Sequence, residues 1–590
     1  MTAKPNKWLG RFLVWRARHI PKHQFILLLS VFVGFITGLV TVFLKNTTHF
    51  IQHLIQSDAF DEYFNVYYFV LPVVGIGITV VIRKFLKGNI GEGVPSTLFA
   101  ISRRNGFLPA YKMYASVITS MFTVGFGGSA GLEGPAVGTG SAIGSNLGRS
   151  MHLNFKSRIL LMSCATAGAI ASIFNAPIAA IIFTIEIFSL DLTFASLIPL
   201  LLASVSGAVT SIFLEGNDHL FHYKYIAPFK VADVPMYALL GVLTAFVSVY
   251  FNKVYFWADN FFTNLKSPFK KMLVGSALLG LLIFLIPPLY GEGYDTINLL
   301  LNGDYQTIVD RSLLSRFVND NFMVLALLIG LIVFKVFATV FTLGAGGVGG
   351  IFAPSLFLGA ALGFVFALFF NQLGLTSIST TNFSLVGMAG LMAGVLHAPL
   401  TAVFMIAEIT GGYELFIPLM LVSAISFLVT RNIMPHSIYT RQLAQRGDLL
   451  THNKDQAILT LLNVEKVVEK NFLKVKPDMS LGDLVKVVSK SRRNLFPVLE
   501  ENKLVGVLTL DDFRHIMFDQ SMYEDTYVKE LMSPPPAIIE IGDNMNTVMQ
   551  KFQDTGAWNL PVVGNGQYMG FISKSKLFSV YRRKLIEFSE

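Results

Sequence analysis

The chain has 590 residues, of which 53% are hydrophobic and only 14% are charged. Soluble domains carry roughly 25% charged residues, so this composition excludes an ordinary soluble protein. The formal charge of +9 does not indicate nucleic-acid binding, because basic residues are concentrated in the N-terminal segment. The only cysteine, Cys164, excludes a disulfide or a cysteine-rich metal site within one chain.

The first 24 residues combine basic and aromatic side chains. Trp8, Phe12 and Trp15 are interleaved with arginines and lysines, a pattern typical of an amphipathic helix at a membrane surface. Basic residues beside the first apolar run favour a cytosolic location for this end. A cleaved signal peptide is disfavoured, because no small-residue cleavage site follows the run. We therefore predict a cytosolic amphipathic helix at 1–24.

Residues 25–44 contain no charge, and about 20 apolar residues suffice for a helix to cross a bilayer core. A membrane helix is therefore predicted here. Further apolar runs occupy 68–82, 158–185, 196–214, 236–251, 272–289, 322–343, 351–370, 384–407 and 415–430. Several are short or interrupted by glycine and proline, which is typical of broken helices that line a polar cavity. Tight packing of imperfect helices is the structural alternative.

The membrane region, 25–445, contains an internal repeat. The spacing of Pro135, Gly140 and Gly144 recurs at positions 354, 359 and 363, an offset of 219 residues. The spacing of Gly168, Pro177 and Glu186 recurs at positions 390, 399 and 408, an offset of 222. Matching interrupted helices in two halves, about 25–215 and 236–445, indicate a transporter with a central substrate site. An odd number of helices per half would invert one half relative to the other.

Charged residues recur every few positions after about residue 445, where no run could span a membrane. We predict a linker at 446–458 and a soluble region at 459–590, which an even number of crossings would place in the cytosol. This region repeats NLFPV (494–498) and GVLT (506–509) as NLPVV (559–563) and GFIS (570–573). Two α/β units, about 459–530 and 531–590, are predicted, each with a strand–turn–strand core.

Two glycine-rich segments precede apolar helices, GGSAGLEGP at 127–135 and GGVGGIFAP at 346–354. A desolvated anion needs hydrogen-bond donors and positive potential, and a helix start supplies both through unpaired N–H groups and the macrodipole. Pro135 and Pro354 fit the first helical turn, where a missing N–H costs nothing. Two such helix starts directed at one point would bind an anion without a lysine.

These ordered motifs resemble the anion-coordinating sequences of the CLC chloride channels and proton/chloride exchangers, over roughly 25–445. Residues 459–590 resemble a tandem pair of cystathionine-β-synthase (CBS) domains. The resemblance implies an all-α polytopic membrane protein with an inverted repeat of broken helices, followed by a cytosolic α/β CBS pair. It also implies a homodimer with one chloride pathway per subunit, in a bacterial inner membrane or plasma membrane.

The resemblance extends to individual residues. Glu133 corresponds to the family's gating glutamate, whose carboxylate occupies an anion site when ionised and moves away when protonated or displaced. The backbone amides of Ile351 and Phe352 correspond to those that hold the central anion, and the Tyr439 hydroxyl corresponds to the one that completes the site. The implied anion-binding residues are Gly131, Leu132, Glu133, Gly134, Gly350, Ile351, Phe352 and Tyr439.

Glu92 departs from the family pattern, because it stands where the family usually offers a serine hydroxyl to the anion. An ionised carboxylate at that point would repel chloride. Three explanations remain open. Glu92 is protonated there, or it points away and only neighbouring backbone contributes, or the preferred anion is not chloride.

Ile187 is a second departure, since it occupies the position at which the family's exchangers often carry an inner proton-accepting glutamate. Its presence favours a passive channel of the voltage-gated CLC type, with Glu133 as its gate. A proton-coupled chloride antiporter is the alternative, with a proton pathway through Glu133 and Glu186. Glu408 occupies the place equivalent to Glu186 in the other repeat, which favours a structural role for both.

In the soluble pair, Thr509 and Asp512 correspond to residues that bind phosphate and ribose in CBS domains, whereas Lys576 replaces the aspartate in the second copy. One site for ATP, ADP or AMP is therefore expected; a purely structural dimerisation module is the alternative. A membrane-anchored nucleotide sensor is a competing function, disfavoured by the repeated broken helices. The chain contains no H-E-x-x-H and no Walker-type motif. We therefore expect no enzyme, no metal and no required cofactor, with chloride as the bound ion.

Overall fold

The computed structural model describes residues 7–55, 64–86, 93–188, 193–216, 220–221, 223, 226–310, 312, 321–445 and 462–589. The chain divides into two compact units, residues 1–445 and 446–590. Glu92 and the linker predicted at 446–458 lie outside the described residues.

The described elements of the first unit are helices. They are α1 (Lys7–His19), α2 (Lys22–Ile55), α3 (Phe64–Phe85), α4 (Gly93–Arg103), α5 (Lys112–Gly125), α6 (Glu133–Ser150), α7 (Phe155–Phe174), α8 (Pro177–Phe188), α9 (Phe194–Glu215), α10 (Val234–Asn264), α11 (Pro268–Leu285), α12 (Tyr294–Leu301), α13 (Tyr305–Asp310), α14 (Asn321–Gly344), α15 (Phe352–Gln372), α16 (Thr380–Leu396), α17 (Pro399–Ile409), α18 (Phe416–Ile433) and α19 (Arg441–Gln445). Short 3₁₀ turns lie at Val231–Asp233 and Pro287–Leu289.

Nine of the described helices are long and apolar enough to cross a membrane, and three further apolar helices (α8, α16 and α17) are shorter. The runs predicted at 158–185 and 384–407 are each two helices. Asn175 and His397 end the first helix of each pair with φ of 51° and 58°, and a proline opens the next. The integral membrane protein with broken helices predicted from the sequence is therefore confirmed.

The two repeats run in opposite directions, as α8 and α17 show. Glu186, near the end of α8, accepts hydrogen bonds from the N–H groups of Leu400 and Thr401 at the start of α17. Glu408, near the end of α17, accepts hydrogen bonds from the start of α8 in the same way. Two packed helices whose ends meet each other's starts must be antiparallel. The inverted repeat is therefore confirmed.

The repeated glycines allow close packing of neighbouring helices. A Cβ on Gly144 of α6 would lie 2.6 Å from the carbonyl oxygen of Leu161 in α7, and one on Gly363 of α15 would lie 1.9 Å from that of Phe383 in α16. Small residues let helix backbones approach in this way. Tight packing, the structural alternative considered from the sequence, therefore accounts for these glycines.

The second unit contains two small α/β repeats. Its elements are α20 (Val464–Val467), α21 (Leu481–Val488), β1 (Leu495–Glu500), β2 (Lys503–Thr509), α22 (Leu510–Phe513), α23 (Val528–Leu531), β3 (Ile539–Glu540), α24 (Met545–Thr555), β4 (Asn559–Gly564), β5 (Gln567–Ser573) and α25 (Lys574–Ser589), with a 3₁₀ turn at Gln520–Met522. The pairs β1/β2 and β4/β5 are antiparallel, and β3 lies parallel to β4.

The hairpins carry matching irregularities, with a bulge between Val498 and Leu499 and another between Val562 and Val563. The predicted strand–turn–strand pattern is therefore confirmed. Segment 462–467, at the start of the first predicted CBS unit, packs into the core of the second, with Ile539, Val548, Leu560 and Ile572 among its neighbours.

Candidate anion-binding site

The two glycine-rich loops pair with each other. The Gly131 N–H donates to the Gly350 carbonyl oxygen at 2.9 Å, and the Gly350 N–H donates to that of Gly131 at 2.6 Å. Side chains could not fit at this crossing, since a Cβ on Gly349 would lie 2.4 Å from the Cβ of Ala130. The contact joins the repeats at the place where the sequence predicts the anion site.

Each loop is also anchored by a threonine of the other repeat. The Ser129 N–H donates to Oγ1 of Thr342 in α14 at 3.0 Å. The Val348 N–H donates to Oγ1 of Thr123 in α5 at 3.1 Å. Because a buried N–H is costly to leave unpaired, this reciprocal pair holds both helix starts in position.

The helices α6 and α15 begin in the same manner. Leu132 and Ile351 precede their first residues, and neither helix start receives a side-chain cap. Pro135 and Pro354 are each the third residue of their helix. Uncapped helix starts leave backbone donors available to a ligand. The predicted residues 131–134 and 350–352 therefore lie together.

Glu133 is only 4% exposed, and its carboxylate lies across the loop crossing. A Cβ on Gly131 would be 2.0 Å from its Oε2, and one on Gly350 would be 2.9 Å from the same atom. Oε1 accepts a hydrogen bond from the Tyr294 hydroxyl at 3.1 Å. Oε2 is buried and has no hydrogen-bond partner among the described residues. The carboxylate thus lies between two helix starts, where an anion would be stabilised.

Tyr439 and Phe352 are two further predicted residues of the site. Tyr439 is buried, and its hydroxyl lies within the electrostatic influence of Glu133. The Phe352 ring is also buried and packs on Phe174, with centroids 4.9 Å apart. Phe352 is at the start of α15 in the second repeat, and Tyr439 is near the end of the first unit. Both therefore belong to the same unit as Glu133.

Three residues near Glu133 were missed by the sequence analysis. Glu292, 7% exposed, accepts a hydrogen bond from the Leu132 N–H at 3.1 Å. Lys335 is fully buried, and its Nζ donates to the carbonyl oxygens of Leu289 (3.3 Å) and Gly291 (3.0 Å). Tyr294 is the third. Buried ionisable residues in a membrane region are functional candidates, and that signal could have identified Glu292 and Lys335.

Glu186 is engaged elsewhere. Its two oxygens accept the N–H groups of Leu400 (3.0 Å) and Thr401 (2.8 Å), and the Thr401 hydroxyl at 2.5 Å. The Ile187 side chain beside it is buried. These contacts support the structural alternative for Glu186, and its place in a proton pathway stays a prediction.

Glu92 lies outside the described residues, but the segment that follows it reaches the site. Gly93 opens α4, and a Cβ there would lie 1.7 Å from the carbonyl oxygen of Gly134. The start of α4 therefore packs directly against the start of α6. The three explanations for Glu92 remain open.

In the second unit, Thr509 and Asp512 bond to each other. The Thr509 N–H and hydroxyl donate to Asp512 Oδ2 at 2.6 and 2.7 Å. This is a capping box at the start of α22. At the equivalent place of the second repeat, the Ser573 hydroxyl donates to Glu469 Oε1 at 2.6 Å. Nucleotide binding by Thr509 and Asp512 stays a prediction.

Comparison with known proteins gives a consistent result. A family model described as voltage gated chloride channel matches residues 74–431, and a CBS domain model matches 464–519 and 528–583. The chain is 30% identical over 375 residues to the putative chloride channel protein ClcB-like of Ralstonia nicotianae, covering 62% of this chain and 82% of that protein. It is 26% identical over 437 residues to the H(+)/Cl(-) exchange transporter ClcA of Vibrio cholerae, covering 71% and 89%.

The fold is similar to that of a eukaryotic CLC transporter, with a TM-score of 0.60 at 17% identity, covering 93% of this chain and 97% of that one. The paired helix starts, the buried glutamate between them and the family match over most of the membrane unit agree. This chain is a member of the CLC family of chloride transport proteins, with a C-terminal tandem CBS pair.

Proposed function

We propose that this protein is a proton-coupled chloride exchanger in which Glu133 carries the exchanged proton. The sequence favoured a passive channel, because Ile187 replaces an acid. The ClcA relative, whose alignment covers 71% of this chain, is named as an H(+)/Cl(-) exchange transporter. That resemblance favours the alternative over the channel.

The buried position of the Glu133 carboxylate is the observation that carries the proposal. The ionised carboxylate lies across the Gly131–Gly350 crossing. It is stabilised there by the positive potential of the helix starts, which would otherwise stabilise chloride. A protonated carboxyl has no net charge and loses this attraction. Chloride entry therefore favours release of the side chain with its proton, and chloride exit favours its return without one. Competition of this kind links the two ions.

Isoleucine at position 187 cannot carry a proton. Exchange in this protein therefore needs a proton route that does not depend on an acid at that position. In this proposal protons reach Glu133 through water. The subunit is proposed to act within a homodimer, with the basic α1 helix and the CBS pair on the cytosolic side. The basic residues in the last turn of α1, Arg16, Arg18 and His19, support that orientation.

The experiment uses the full chain reconstituted in liposomes, with a chloride electrode and a pH electrode reading the same sample. A chloride gradient should drive protons uphill. Glu133→Gln should abolish proton movement, because an amide cannot carry the proton, while chloride still crosses. Asp310→Asn is the matched control, since it removes an exposed carboxylate and should leave both fluxes unchanged. Chloride flux without proton movement in the unmodified protein would instead establish a channel.

A further inference from the structure

A small cavity lies beside Glu133, between α2, α6 and the start of α12. It has room for one water molecule, about 20 Å³, and Lys45, His49, Leu132, Glu292 and Tyr294 are among its lining residues. Most of its wall is apolar, and the polar side chains reach it at a few points. The cavity is a place where a proton could be held next to the buried carboxylate.

The cavity faces the side of the membrane opposite to the N-terminus. Lys22 and Lys45 lie on the single helix α2, and a rise of 1.5 Å per residue separates them by about 35 Å. That distance exceeds the roughly 30 Å of a bilayer core. With the N-terminus in the cytosol, the cavity is on the outer side.

One short loop brings two of its residues to the gating region. Glu292 accepts the N–H of Leu132, the residue before Glu133, at 3.1 Å. Tyr294, two residues later, donates its hydroxyl to Glu133 Oε1 at 3.1 Å. The Lys335 ammonium fixes this loop through the carbonyl oxygen of Gly291, 3.0 Å away. The two residues act on Glu133 in opposite ways, since one brings a carboxylate and the other a donor.

Charged groups on several elements surround Glu292. Glu133 faces it from α6, Lys335 from α14 and Lys45 from α2. His49 lies on the next turn of α2, and three charged groups face it: Lys45, Glu215 of α9 and Asp295 of α12. Lys45 and Glu215 form an ion pair at 2.8 Å. Buried charges are tolerated only when balanced. Glu292 faces both the fully buried Lys335 and the carboxylate of Glu133, and ionisation of one of these two carboxylates opposes ionisation of the other.

We propose that Glu292 and Tyr294 control the proton on Glu133: the Glu292 carboxylate repels the ionised Glu133 and promotes its protonation from the cavity, whereas the Tyr294 hydroxyl holds the ionised carboxylate in place. This inference rests on the proposed role of Glu133. Glu292 and Tyr294 are positioning residues, because their effect on chloride passes through Glu133. The proton comes from a hydronium ion that reaches the cavity from the solvent: an O–H bond forms on Glu133 as one breaks on the hydronium, which leaves a water molecule.

The test is the pH profile of chloride efflux from liposomes holding the full chain, with pH varied on the cavity side. Glu292→Gln removes a neighbouring negative charge, so the pH of half-maximal efflux should fall by about one unit. Tyr294→Phe removes a hydrogen-bond donor to the ionised carboxylate, so the pH of half-maximal efflux should rise by about one unit. Asp310→Asn, which removes an exposed carboxylate of α13, should leave the profile in place.

A double variant separates this mechanism from a direct one. In a Glu133→Gln background, Glu292→Gln should cause no further shift, because the group on which it acts is gone. The proposal would be overturned if Glu292→Gln still shifted the profile in the Glu133→Gln background. It would also be overturned if both single variants shifted the profile in the same direction, or if neither shifted it. If Glu292→Gln does not fold, the sign of the Tyr294→Phe shift decides. The profile is read from chloride alone, so it tests the control site even if proton coupling itself fails.

Discussion

Glu186 and Glu408 form a symmetric pair that distinguishes a structural carboxylate from a proton carrier. Each carboxylate accepts hydrogen bonds from the first N–H groups of a helix in the other repeat. We consider Glu186→Gln and Glu408→Gln. Glutamine keeps one acceptor oxygen but places an NH₂ group against the second N–H donor, so at least one helix-start bond is lost in each variant.

The expected cost follows from these contacts. Loss of a helix cap costs about 0.5–2 kcal/mol, and a hydrogen bond to a charged group contributes about 1.5–3 kcal/mol. Each variant should therefore lose about 1–3 kcal/mol of stability. Glu186→Gln should lose somewhat more, because Glu186 also accepts the Thr401 hydroxyl.

The assay combines thermal unfolding in detergent with paired chloride and proton fluxes in liposomes. If both residues are caps, the two variants are destabilised to a similar extent and the proton/chloride ratio does not change in either. The reasoning is refuted if Glu186→Gln uncouples protons from chloride while Glu408→Gln does not. That result would place Glu186 in the proton pathway despite its contacts.

Three further substitutions test the site and the second unit. Gly350→Ala should abolish chloride binding in calorimetry, because the new Cβ would lie 2.8 Å from the backbone nitrogen of Gly134; unchanged affinity would contradict this packing. Thr342→Val leaves a buried loop N–H unpaired and should lower stability by about 1–3 kcal/mol. Thr339→Val should cause a smaller loss, because the Thr339 hydroxyl donates to the carbonyl oxygen of Lys335 in its own helix. Thr509→Ala should cost about 1 kcal/mol by loss of its capping box, seen as faster amide hydrogen exchange at the start of α22 with chloride flux unchanged.

The helix starts were predictable because their signals are local. Proline in the first turn and glycine in the loop before it act through the backbone of neighbouring residues, so Pro135 and Pro354 indicated both starts. The repeat then implied that the two starts belong together. The sequence could not show that Gly131 and Gly350 exchange two hydrogen bonds, since that pairing depends on how the repeats cross.

Glu292 shows the opposite case. It lies far along the chain from Glu133, and no spacing rule connects a loop residue to a helix start in another part of the fold. The local sequence also does not predict that segment 462–467 packs into the core of the second CBS unit, because its apolar residues would suit either core.

The sequence by itself determined the membrane class, the internal repeat and the glycine-rich helix starts, because each rests on composition or short-range backbone chemistry. The resemblance to a known family then singled out Glu133. Only the tertiary structure decided which groups surround that carboxylate: the Gly131–Gly350 crossing, the Tyr294 hydroxyl, and Glu292 with its buried lysine. Long-range contacts depend on where helices cross, and the free energy of a buried charge depends on those neighbours. The environment of Glu133 is therefore a property of the fold.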